Sequence, residues 1–198
     1  MKNWIISSIV LACLTLSALA APESYTVYAG GGTDVGNTIS YAVVSARSEN
    51  GGAPVVTYVS ATSDKSGSVV QFYSVDTNQV ATTASTATVY LPVSATNGFA
   101  SGDIIVIRHM TSDTYEKRIL TAFNTNGVLI LTAAPGTATA VGDLIYKVTA
   151  GGTIPVGAAT ATLYGEGIYA GQKGKPLLLE VDGTSACQLN AVCAKYVK

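Results

Sequence analysis

The chain has 198 residues, 12% of them charged, with 11 basic against 12 acidic side chains. That is about half the usual charged share, and with no basic stripe it excludes a nucleic-acid surface. No charge occurs from Thr77 to Gly102 or from Ile119 to Gly142, yet Thr, Asn and Gly interrupt both stretches, so neither is a membrane helix.

The opening "MKNWIISSIVLACLTLSALAAPES" has a lysine, a short apolar run and a small-residue close at Ala18-Leu19-Ala20. These are the marks of a secretory signal peptide over residues 1–20. The expected mature chain starts at Ala21, is secreted to the extracellular space or cell surface, and keeps no membrane insertion. Trp4 and Cys13 leave with the signal, so two cysteines remain, Cys187 and Cys193. An even count in an exported chain predicts a disulfide between them.

Residues 21–38 read as a short strand, in which Tyr25 and Val27 share a face, followed by the glycine-rich tether "AGGGTDVGNT". A strand on a flexible leash can complete a neighbouring copy's sheet; pairing within its own chain is the plain alternative. Further strands are expected near Ile39–Ala46, Val55–Ser60, Val69–Val75, Thr88–Val93, Ile104–Met110, Tyr115–Phe123, Val128–Thr132, Leu144–Thr149, Ala161–Tyr164 and Leu177–Val181. Each is rich in β-branched and aromatic residues and bounded by Gly, Asn, Asp, Ser or Pro. The tail "SACQLNAVCAKYV" fits a short helix or a strand. Helical periodicity is otherwise nearly absent, so the fold class is all-β, an antiparallel sandwich.

Residues 86–150 read as a small barrel-like or hairpin module of about five strands. It is bracketed by the linker-like "TNQVATTAST" and "TAGGTIPVG". An outer sandwich of 39–85 plus 151–198 would carry it as an insertion; two sequential domains are the alternative. Inside the module, "TVYLPVSATNGFASGDIIVI" (88–107) aligns without a gap on "VLILTAAPGTATAVGDLIYK" (128–147). Gly102-Asp103 meets Gly142-Asp143, and each copy reads strand, small-residue loop, Gly-Asp, strand. Glycine supplies a conformation that other residues avoid, and the aspartate accepts from nearby amides, so both pairs are expected to be structural turns.

Asp103, Arg108 and His109 lie close in sequence, and His109 is the only histidine. An extended strand separates Asp103 from His109 by about 20 Å, so they cannot form a catalytic pair. His109 is expected to be a half-exposed strand residue, beside a strand at Tyr115–Leu120 whose start is exposed. No nucleophile, phosphate-loop or metal-ligand motif is present, so no catalytic residue, cofactor or metal is assigned. Glu180 and Asp182 alternate onto one face of "EVDGTSA", which reads as a turn; a weak calcium site is the alternative, for which one pair alone supplies too few oxygens. "YGEGIYAGQKGKPLLLEV" reads as a long exposed loop entering an apolar strand, with Tyr164, Glu166, Tyr169, Lys173 and Lys175 as candidate recognition residues.

The expectation is therefore a non-enzymatic exported structural subunit of a fibre, sheath or surface layer, with copies of itself as partners. The alternative is a secreted binding module for a carbohydrate or other surface ligand, using the 164–176 loop.

Overall fold

A computed structural model describes residues 25–29, 32–33, 39–45, 52–84, 88–156 and 160–197. The expected signal peptide and its cleavage site lie outside the described residues. The chain is all-β, with β1 (Tyr25–Ala29), β2 (Gly32–Thr33), β3 (Ile39–Val44), β4 (Ala53–Ser63), β5 (Val69–Val80), β6 (Tyr90–Pro92) and β7 (Ile104–His109). These are followed by β8 (Thr114–Asn124), β9 (Val128–Leu131), β10 (Leu144–Pro155), β11 (Thr160–Ala170), β12 (Leu177–Asp182) and β13 (Cys187–Val197).

The strands form two antiparallel sheets, one of four strands ordered β1-β13-β4-β11 and one of nine ordered β2-β3-β12-β5-β10-β7-β8-β9-β6. The first apolar core draws on both. Val56, Val59, Leu189, Val192 and Tyr196 come from the small sheet, and Val44, Phe72, Leu177, Leu179 and Val181 from the large one. Strand β12 is buried on both faces, which is why its sequence is a continuous apolar run broken by one glutamate. Its Leu178 enters a second core with Tyr41, Tyr73, Tyr115 and Tyr146. There the rings of Tyr41 on β3 and Tyr115 on β8 stack with centroids 5.1 Å apart. Four strands separate β3 from β8 in the sheet order. A flat sheet would hold them about 24 Å apart, so this sheet curls strongly, and β2 lies against β8.

The third core, which includes Leu91, Ile105, Ile107, Leu120, Leu129 and Ile145, belongs to the 81–145 stretch. Ala81 bridges Val93 and turns the β6 end back toward β5, but this isolated bridge does not close a barrel. The expected linkers around this stretch are strand in part. Thr77–Val80 ends β5, Thr149–Pro155 ends β10, and the two strands pair along their length. A register shift between Ala150 and Thr153 accommodates the glycines, whose carbonyls accept from Gln71 Nε2. The 86–150 segment is thus knitted into the large sheet while keeping a core of its own.

The tail is strand β13. A shift between Leu189 and Ala191 lets Leu189, Val192, Ala194 and Tyr196 all reach the core despite their uneven spacing. This corrects the disulfide. Cys187 and Cys193 lie on one extended strand, and neither is disulfide-bonded. Six residues of strand put them roughly 20 Å apart, beyond the ~7 Å limit on Cα separation for a bridge.

Candidate functional site

Strand β7 ends in "VIRH". Period-two alternation puts His109 on the same face as Ile105 and Ile107, which are core residues. Across the hairpin Ile107 pairs with Glu116, which is therefore also turned inward. The turn between the strands is set by Asp113 at φ 50°. There Arg108 donates from Nε and Nη2 to Asp113 Oδ1, at 2.9 and 2.8 Å.

The second Gly-Asp turn delivers Asp143 to the same place. His109, Glu116 and Asp143 are only 3%, 3% and 2% exposed, which corrects the half-exposed histidine. The start of β8 is likewise buried, since Tyr115 is covered by Tyr41. His109 Nδ1 lies 2.9 Å from Asp143 Oδ2, and His109 Nε2 lies 3.3 Å from Glu116 Oε1. Asp143 also accepts from the amides of Ala140 and Met110, at 2.9 and 3.0 Å. Glu116 accepts from the amides of Gly136 and Thr137, both at 2.7 Å, and from Arg118 Nη2 at 2.6 Å. Arg118 in turn donates from Nε to the Ala134 carbonyl at 3.2 Å.

Burial alone would lower the His109 pKa, but its bonds to Glu116 and Asp143 outweigh burial and raise it. Burial pushes the Glu116 carboxyl up, while His109, the Gly136 and Thr137 amides and Arg118 together pull it below its usual range. Two carboxylates therefore face the His109 imidazole and the Arg118 guanidinium inside the protein.

Each imidazole nitrogen is committed to a carboxylate, so neither can take a proton from a nucleophile. The carboxylates sit on opposite edges of the ring, so no single ion can meet all three groups. Among the described residues no group of three His, Cys, Asp or Glu side chains could hold a metal ion.

The two Gly-Asp turns share a geometry. Gly102 and Gly142 have φ of 90° and 98°, the left-handed side that favours glycine. Asp103 and Asp143 accept from the amides of Ala100 and Ala140 at 2.6 and 2.9 Å. Each carboxylate then meets a cation from the neighbouring strand: Lys147 of β10 at 2.9 Å for Asp103, and His109 of β7 for Asp143.

A second, half-buried pair lies at the tyrosine core. Lys117 Nζ lies 2.6 Å from Glu180 Oε1 and 5.8 Å from the centre of the Tyr73 ring. Asp182 pairs with Lys65 and accepts from Ser68 Oγ at 3.0 Å. The two acids that alternate in sequence thus serve separate lysines and do not converge on a cation. An open cleft of about 380 Å³ runs beside Lys117, Arg118 and Ile119. Both cations on its wall are already held by carboxylates.

The expected recognition loop is corrected as well. Residues 164–170 belong to β11, which pairs with β4 with a shift between Tyr164 and Tyr169. The side chains of Tyr164 and Glu166, like those of Tyr25 and Val27, lie outside the described residues. Tyr169 is a packing residue: its ring stacks on Phe72 with centroids 4.6 Å apart and 10° between planes. It also covers Gly151, where an added Cβ would lie 1.9 Å from the tyrosine oxygen. Only a short turn remains, in which Lys173 is exposed and Lys175 half-buried. Strand β1 lies along β13 of its own chain, Tyr25 opposite Lys195 and Val27 opposite Cys193.

Sequence reasoning found both Gly-Asp turns but missed Glu116 and Arg118. The available signal was the hairpin turn at Asp113, which places Glu116 on the face that His109 occupies. Comparison with protein-family models, curated proteins and solved structures finds no match.

Proposed function

We propose that the chain is an exported structural subunit of an extracellular or cell-surface assembly, built as an antiparallel sandwich that associates through strand contacts. The observation that carries this reading is the position of β1. It is an edge strand that pairs with β13, and it leads into Gly30, Gly31 and Gly32. The β13 edge it covers has the same geometry for the β1 of a second copy, so strand exchange needs no new contact. The His109, Lys117 and Arg118 charges are all spent on internal partners, which suits a scaffold.

The same reading treats residues 88–107 and 128–147 as a duplicated unit. Val106 pairs with Tyr146, the residue forty positions later that the sequence alignment sets against it. A local twofold axis between these residues therefore relates β7 to β10.

Light scattering on residues 21–198 and on a form lacking 21–29 tests the proposal, with circular dichroism as the control for folding. Assemblies from the longer chain and a folded monomer from the shorter, which then captures a synthetic 21–31 peptide, are expected. A longer chain that stays monomeric at high concentration rules the proposal out.

A further inference from the structure

We infer that the Asp143–His109–Glu116–Arg118 network is a pH-operated latch, which holds the 133–142 loop on the β7–β8 hairpin while His109 carries both ring protons and releases it when the ring loses one.

The loop is tied down mainly through this network. The Gly136 and Thr137 amides donate to Glu116, the Ala140 amide donates to Asp143, and the Ala134 carbonyl accepts from Arg118. Pro135 and Thr139 are buried beneath these bonds. Among the described residues, the charged groups facing the imidazole come from two elements. From β8 come Glu116 and, through it, Arg118; from the turn before β10 comes Asp143; the loop supplies only backbone. Arg108 is on the opposite face of β7, where it pairs with Asp113 and lies over the Tyr115 ring.

Protonated imidazole donates from both nitrogens, whereas neutral imidazole has one donor and one lone pair. With both carboxylates ionised, a neutral His109 would aim that lone pair at a carboxylate oxygen. One hydrogen bond would become a repulsion between buried groups. The bond that yields is the longer one, to Glu116 at 3.3 Å, because Asp143 holds Nδ1 at 2.9 Å. Glu116 is also the carboxylate that anchors Gly136 and Thr137, so the loss passes directly to the loop.

The sign follows from linkage. The His109 pKa is raised, so its contribution is complete below the ordinary histidine value of about 6.5 and is lost as pH rises through the folded value. Glu116 is lowered, so its contribution is complete above about 4.3 and is lost as pH falls through the folded value. Between these limits the latch is shut.

The experiment is NMR on the intact mature chain from pH 5 to 10. It follows the His109 ring nitrogens together with exchange of the Gly136, Thr137 and Ala140 amides, corrected for intrinsic rates. The His109 ring should titrate above the ordinary histidine value of about 6.5. Protection of the three amides should fall about tenfold as the ring titrates, the equivalent of one lost hydrogen bond. Glu116→Gln should shift the ring titration toward lower pH. If that variant does not fold, the two wild-type curves decide alone. A ring that titrates at or below the ordinary value overturns the latch, as does loop protection that is flat through the titration.

Discussion

The imidazole of His109 lies 2.9 Å from the carboxylate of Asp143, 34 residues further along the chain. Asp143 belongs to the second Gly-Asp turn, so the histidine that follows the first turn completes the second. Lys147, which follows the second turn, completes Asp103 in the first. The two turns are braced across the β7–β10 pair.

The bracing is unequal in depth. The Lys147 and Asp103 side chains are 19% and 18% exposed, against 4% and 2% for His109 and Asp143. Asp143→Ala should therefore cost about 3 kcal/mol, because it leaves the buried Nδ1 of His109 and the Ala140 and Met110 amides without their acceptor, while Glu116 still meets Nε2. Asp103→Ala should cost about 1 kcal/mol. Urea unfolding of the two variants measures the difference. Equal losses would show that burial does not govern these turns.

The turn glycines are required by backbone conformation and not by crowding. A Cβ at Gly102 or Gly142 would meet nothing within 4 Å, yet φ is 90° and 98°. Alanine at either position should cost about 1–2 kcal/mol, read from thermal unfolding. An unchanged melting temperature would refute the left-handed turn.

Cys187 and Cys193 should not join within one chain. Peptide mapping under non-reducing conditions should find free thiols or links between chains, and a reductant should leave the melting temperature of the monomer unchanged. An intrachain link would mean that β13 is not continuous.

Tyr169 should act as a wedge in the core. Gly151→Ala would force the ring off Phe72 and should cost about 2 kcal/mol, from lost stacking and burial. Tyr169→Ala should destabilise by a similar amount, as calorimetry would show. A Tyr169→Ala variant that keeps full stability but loses binding to a glycan array would restore the recognition reading.

The sequence by itself determined the all-β class, the core of nearly every strand and both Gly-Asp turns. These features are local: a two-residue apolar period, and a left-handed position that glycine fills without strain. Tertiary structure decided what those pieces meet. The tail was ambiguous because its composition suits helix and strand alike, and only pairing with β4 made it a strand that parts the cysteines. "YGEGIYAG" resembled a loop because its glycines hide the alternation, until a register shift and Gly167 at φ 72° fitted it to β4. His109 looked half-exposed because Glu116 and Asp143 become its neighbours only through hairpin register and the β7–β10 pairing. The stacking of Tyr41 on Tyr115 needed the whole large sheet to curl. Long-range register and curvature come from many side chains packing together, and no short stretch of this chain encodes them.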